Sequence, residues 1–313
     1  MASFLFAPAM IPIKILDETA PLEALVLGIA TDMGGVPDVD HTYDPKSREH
    51  VLDGSFPKEA DTQREMSFLL SVFEKYGVEV YRPKNLPDLN QIFARDIGIV
   101  IGDQLIIPYI FMDRRKEVEG IEGIIDDVEN VLRPDESIRM EGGDVMPWKG
   151  KLFVGYSKES DFQQYKVART NEKGLSFLKE TFSSWEVHGF ELKKSDTNAR
   201  DNALHLDCCF QPIGKGKAIL YPEGFKHKED AQFLIRYFGE ENVFIIDRDE
   251  MYHMNSNVFS ISEDVIISEV NFVRLNNQLK NWGFTVEEVP YAEVSKMEGL
   301  FRCSTLPLRR RYD

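Results

Sequence analysis

Arg302-Cys303-Ser304-Thr305-Leu306-Pro307-Leu308-Arg309-Arg310-Arg311 sets one thiol at the head of a short segment that ends in three arginines. Taken alone, Cys303 has an ordinary explanation, because a free cysteine packs as a small buried hydrophobe. Three other segments share its character of ionisable residues placed against a strand-like or glycine-rich stretch. They are Asn90-Gln91-Ile92-Phe93-Ala94-Arg95-Asp96, Glu141-Gly142-Gly143-Asp144 and His205-Leu206-Asp207. Each also reads blandly: a turn carboxylate for Asp96, a hairpin turn for Glu141 and Asp144, a hydrogen-bonded core histidine for His205. Together they supply a thiol nucleophile, an imidazole and several carboxylates, the inventory needed to attack a cationic carbon centre.

A guanidinium is such a centre. Its planar fork of N–H donors is held by carboxylates on opposite edges, a use for Asp96 and Asp207. The thiolate is the reactive form of Cys303, and a bound cation or nearby imidazolium favours it. His205, oriented by Glu141, can protonate the leaving amine and then activate water. The alternation in His205-Leu206-Asp207 predicts a strand with both polar side chains on one face.

Around these segments the chain reads as α/β. β-type runs recur at residues 25–29, 78–81, 97–101, 105–108, 152–156, 218–221, 243–246, 265–268 and 284–289. Residues 59–76 place Met66, Leu69, Leu70 and Phe73 on one helical face before Gly77. Residues 271–282 do the same with Phe272, Leu275, Leu279 and Trp282 before Gly283. Helices are also expected over 175–181 and 229–238. No linker divides residues 1–313, which read as one domain, and 32–58 reads as a surface excursion or lid.

Composition narrows the function classes. With 37 Lys and Arg against 53 Asp and Glu, the net charge of -16 repels phosphate backbones and anionic lipid. The expected partner is a small guanidine, not nucleic acid or membrane; a homo-oligomer is compatible with this. The apolar run at residues 4–15 lacks a basic flank and is broken by Pro8 and Pro12, so it reads as neither leader nor span. Three cysteines, two adjacent at Cys208 and Cys209, form no disulfide framework, and a cytoplasmic location is expected. No zinc-ligand spacing is present, so no metal is expected. Cys208 and Cys209 read as core, and Gly214-Lys215-Gly216 as a tight turn.

The four segments resemble the guanidine-modifying superfamily of arginine deiminases, dimethylarginine dimethylaminohydrolases and arginine-dependent amidinotransferases, over residues 70 onward. Asn90, Phe93, Arg95 and Asp96 look like the deiminase N-x-x-F-x-R-D, with Arg114 following where those enzymes direct an arginine at the substrate carboxylate. Glu141-Gly142-Gly143-Asp144 is similar to their E-G-G-D. Arg169-Thr170-Asn171 resembles the R-T-N of the dimethylarginine hydrolases, set about ten residues beyond Gly155-Tyr156-Ser157. His205-Leu206-Asp207 resembles deiminases and amidinotransferases, in which the Asp grips unsubstituted guanidine nitrogens. Cys303 with Pro307 is similar to the deiminases; the trailing arginines, expected to pair with the central acids, and Met254-Asn255-Ser256-Asn257 resemble amidinotransferases. In Lys296-Met297-Glu298-Gly299-Leu300-Phe301 an acid stands where an arginine is often found.

The resemblance implies a five-bladed, pseudo-symmetric α/β propeller of pentein-type ββαβ repeats around an acidic pocket, and no cofactor. It implies Cys303, His205 and Glu141 as catalytic residues and Asp96, Asp207, Asp144, Asn90, Phe93, Arg114 and Arg169 as substrate-binding ones. The leading reaction is arginine to citrulline and ammonia; the alternative is transfer of the amidino group to an amine. A dimethylarginine hydrolase and a non-catalytic guanidine-binding protein are the remaining readings.

Overall fold

The structure, a computed structural model, describes residues 10–312; the first half of the apolar run at residues 4–15 lies outside the described residues. Five three-stranded sheets are formed. Their strands are β1 (Leu22–Leu27), β2 (Glu79–Tyr81), β3 (Ile99–Ile101), β4 (Gln104–Ile106) and β5 (Val131–Leu132), then β6 (Val145–Trp148), β7 (Lys151–Tyr156) and β8 (Glu186–Glu191). There follow β9 (Phe210–Ile213), β10 (Lys217–Leu220), β11 (Val243–Ile245), β12 (Phe259–Ser260), β13 (Val265–Glu269), β14 (Thr285–Val289) and β15 (Thr305–Arg310).

The sheet orders are β15-β1-β2, β3-β4-β5, β6-β7-β8, β9-β10-β11 and β12-β13-β14. In every sheet the central strand is antiparallel to the first and parallel to the third. A parallel pair cannot be joined by a tight turn, and each crossover carries a helix: Glu59–Lys75, Glu122–Asp126, Glu172–Thr181, Lys228–Phe238 and Val273–Asn281. The unit is therefore ββαβ, five times over, a repeat that no sequence identity betrays. The first sheet is completed from the far end of the chain, with Leu25 opposite Pro307 and Leu27 opposite Thr305.

The helices expected at 59–76 and 271–282 form as Glu59–Lys75 and Val273–Asn281, burying Met66, Leu69, Phe73, Leu275 and Leu279. One expectation needs correction. His205-Leu206-Asp207 is not a strand: Leu206–Cys208 is a 3-10 turn, because Asp144 Oδ1 accepts the Leu206 N–H (2.9 Å) and Cys208 N–H bonds the His205 carbonyl (3.1 Å). Residues 32–58 contain the helix Pro45–Leu52 and bury Thr42, Asp44, Lys46 and Ser47. Lys46 Nζ anchors that stretch on the Tyr252 carbonyl (2.6 Å) and Lys166 Nζ on the Thr42 carbonyl (2.9 Å).

Candidate active site

Each sheet's first strand is entered through a short turn, and these five turns carry the chemistry. Residues 94–97 precede β3, Gly142–Asp144 precedes β6, Leu206–Cys208 precedes β9, 253–256 precedes β12 and 301–304 precedes β15. They bring together Asp96, Glu141, His205 with Asp207, Asn257 and Cys303. The turns are locked to one another by backbone and side-chain bonds: the Arg95 N–H donates to the Cys303 carbonyl (2.9 Å) and Arg95 Nε to the Arg302 carbonyl (3.2 Å).

Cys303 is buried and lines a cavity of about 210 Å³. Its Sγ accepts from Asn257 Nδ2 (3.2 Å), its N–H donates to Asn257 Oδ1 (3.1 Å), and Sγ lies 3.6 Å from Asp207 Oδ2. Burial first, then the carboxylates of Asp207 and Asp96, push the thiol well above its usual range. A thiolate in the empty cavity is thus disfavoured, and a bound cation would reverse the balance.

His205 lines the same cavity, its Nε2 2.7 Å from Glu141 Oε2 and 3.9 Å from Asp96 Oδ1. Burial opposes its charge, but Asp96, Glu141 and Asp144 outweigh burial and push the imidazole up to about 9. Burial likewise opposes the charge of Glu141, yet Arg169, His205 and Arg114 hold it down to about 2. At neutral pH the pair is imidazolium and carboxylate, so His205 is poised first to give a proton. Gly143 is required beside it: a Cβ there would sit 2.7 Å from the imidazole ring.

Asp96 is buried, with Oδ2 on Arg114 Nη1 (2.7 Å) and Oδ1 accepting the Gly143 N–H (3.2 Å). Asp207 does not line the cavity; it is buried next to the thiol, and its Oδ2 accepts from Arg302 Nη1 (2.9 Å). Asn90 and Phe93 line the cavity; Asn90 Oδ1 accepts the Ile92 N–H (3.0 Å), and the Phe93 ring packs on Gly299, where a Cβ would meet it at 2.3 Å. Arg169 lines the cavity with Nη2 on the Tyr43 carbonyl (2.9 Å), Nη1 on the Lys166 carbonyl (2.6 Å) and Nε 3.4 Å from Glu141.

Three expectations are corrected by this geometry. Asp144 does not line the cavity; it sits behind His205 and braces the turn through Leu206. Arg114 reaches the cavity with its fork already taken, Nε and Nη2 by Glu117 (2.8 Å each) and Nη1 by Asp96, instead of presenting an open fork to a carboxylate. The trailing arginines do not pair with the central acids. Arg309 Nε bonds Glu23 (2.8 Å) and buried Arg310 bonds the carbonyls of Ala20 and Ser260. Arg302 pairs with the central acids in their place, joining Asp207 to Glu18 (3.0 Å).

Sequence reasoning missed Arg302, Glu18 and the sulfur contact of Asn257. The arginine stands beside Cys303 in the quoted segment, but Glu18 lies 284 residues away and carries no local signal. Asp96, Glu141 and His205 also offer ligand atoms within 4.8 Å of one another. Arg114 and Arg169 already supply the compensating positive charge there, which leaves little net negative charge to draw a compact divalent ion.

Comparison with known proteins gives the same direction. The sequence profile of the family described as "N,N dimethylarginine dimethylhydrolase, eukaryotic" matches residues 58–310. The uncharacterized protein YkgA of Bacillus subtilis is 28% identical over 253 residues, covering 78% of this chain and 79% of that one. The bifunctional arginine dihydrolase/ornithine cyclodeaminase AgrE of Nostoc is 24% identical over 279 residues, 86% of this chain but only 36% of the larger enzyme. Among solved structures, the amidinotransferase SxtG of Microseira wollei superposes with a TM-score of 0.74 at 17% identity, over 97% of this chain and 98% of that one. No helix of the described residues is long and apolar enough to cross a membrane. The chain belongs to the N,N-dimethylarginine dimethylhydrolase family, within the guanidine-modifying enzymes of pentein-type α/β fold.

Proposed function

We propose that this protein hydrolyses the terminal guanidinium of arginine or a close analogue through a covalent amidino adduct on Cys303, with its five sheets as the blades of a pseudo-symmetric propeller around the cavity. The observation that carries the reading is the thiol of Cys303 lining one cavity with His205 and Asp96, with Glu141 behind His205 at 2.7 Å and Asp207 at 3.6 Å from the sulfur. Asp96 and Asp207 hold the guanidinium edges, and its charge draws the proton off Cys303. Asn90, Phe93 and Arg169 shape the wall beside it.

In the first half, the Cys303 thiolate bonds to the guanidinium carbon, His205 gives its proton to one nitrogen, and that nitrogen leaves as ammonia. In the second, neutral His205 takes a proton from water, the hydroxide adds to the carbon, the C–S bond breaks and a ureido product departs. Glu141 stabilises the imidazolium in both halves. Since the first half needs cationic His205, activity is expected to fall as pH rises through about 9, checked by a kcat/KM profile. A rate still rising beyond that pH would assign the proton donor elsewhere.

Transfer in place of hydrolysis is supported by one observation: Asn257, within the amidinotransferase-like Met254-Asn255-Ser256-Asn257, touches the Cys303 sulfur. Products separate the readings. Incubation with arginine or its analogues, with and without glycine or lysine, is expected to give a ureido product and ammonia in the absence of acceptor. Amine product formed only with an acceptor would establish transfer, and dimethylamine from dimethylarginine would establish the reaction for which the family is described.

A further inference from the structure

Asn257 takes no part in the reaction proposed above, yet it holds Cys303 at two points. Its Oδ1 accepts the Cys303 N–H (3.1 Å) and its Nδ2 donates to Sγ (3.2 Å). A backbone N–H can only donate, so the amide oxygen has to face it, and the amide nitrogen is thereby turned toward the sulfur. The residue is fully buried, with its own N–H on the Met254 carbonyl (2.8 Å) and its carbonyl accepting the Arg302 N–H (3.4 Å). The turn that delivers it is strained: buried Met254 is held at a φ of 68°, in the left-handed region that a residue with a side chain seldom adopts. Ser256 Oγ and Asn257 Nδ2 both reach the Asp207 carbonyl (2.9 and 3.4 Å), so one short segment joins Cys303 to the turn that carries Asp207.

The two side-chain contacts of the sulfur behave oppositely when its proton leaves. The thiol can donate to Asp207 Oδ2 at 3.6 Å, but a thiolate meets that carboxylate as a like charge. The Asn257 amide donates to the sulfur in either state, and more strongly to the anion. Asp96 also opposes a thiolate, whereas Arg302 and the Leu300 backbone favour it; Cys208 and Tyr291 are near enough to feel the charge, and His205 lines the same cavity. We propose that Asn257 is the positioning residue of the nucleophile, a side-chain amide that clamps Cys303 by backbone and sulfur at once and stays bonded to the sulfur from thiol to thiolate. It rests on the reading of Cys303 as the nucleophile and deepens it by naming the group that readies the sulfur.

The test needs no guanidine. The full chain and Asn257→Asp are alkylated with iodoacetamide across the alkaline range, and peptide mass spectrometry follows Cys303 separately from Cys208 and Cys209. Aspartate keeps the shape and still accepts the Cys303 N–H, but it sets a carboxylate oxygen against the sulfur in place of a donor. The alkylation rate of Cys303 at a fixed pH is expected to fall about tenfold or more, its pH profile moving up by about one unit or more. Asn257→Ser, uncharged and too short to reach the sulfur, should move the profile the same way by less, and it decides the matter if the aspartate variant does not fold. A folded variant whose profile coincides with the parent's overturns the proposal, since an amide that merely braces the turn would change the melting temperature and not the profile. A displaced profile together with no turnover of any guanidine by the parent leaves the clamp standing and sinks the hydrolase reading; an undisplaced profile with turnover intact does the reverse.

Discussion

Cys303→Ser is expected to lower kcat on the order of 10⁴-fold or more while guanidine binding persists. The hydroxyl ionises far less readily than a thiol, and the cavity already disfavours charge at this position through burial, Asp207 and Asp96. What holds the ligand, by contrast, does not involve the sulfur. Asp96 stays fixed by Arg114 and Gly143, and Asp207 by Arg302. Steady-state turnover and calorimetry on one preparation check both halves of the expectation. Turnover within tenfold of the parent would remove Cys303 from the mechanism.

Arg302→Met is expected to lose about 3–5 kcal/mol of stability, because breaking a buried ion pair strands the partners. The guanidinium is fully buried and is bonded by Glu18, Asp207 and the carbonyls of Gly142, Gly143 and Val145. For a chain of this size the loss corresponds to roughly 5–8 °C in melting temperature. Glu18→Gln in the same background should recover part of it by discharging the stranded carboxylate. An unchanged melting temperature for the single variant would show that the network contributes nothing net.

The same network sets an acid limit. Burial raises Glu18, but Arg302 and Arg95 overcome it and hold the carboxyl down to about 2. A group depressed in the folded state contributes stability above its unfolded value and loses it as pH falls through the folded one. His205, raised to about 9, behaves oppositely, and its contribution fades as pH rises through that value.

The strands that sequence periodicity reveals are the central and crossover ones β1, β2, β4, β7, β10, β11, β13 and β14, with β3 as the one first strand among them. Three that it misses, β6, β9 and β15, each carry a proline, at Pro147, Pro212 and Pro307, which argues against a strand unless that strand is an edge. All three are edges, and all three directly follow a turn bearing site residues. The proline that hides the strand therefore marks the junction that matters. The local motifs at Asp96, Glu141, His205 and Cys303 were legible because chemistry concentrates ionisable residues at such junctions. The pairings of Arg302 with Glu18 and of Glu298 with Asp44 were not, since each joins segments hundreds of residues apart.

The partnership of β1 with β15 has a bearing on biosynthesis. Leu25 meets Pro307 across a loop of almost the whole chain, among the longest and slowest closures available to it. Cys303 sits two residues ahead of β15, so the thiol is fixed in place by the same event that zips the first sheet. A nascent chain still on the ribosome, or one opened at that seam, leaves the edge of β1 unpaired and Cys303 unseated. On the proposed reading, reactivity is withheld until folding is finished.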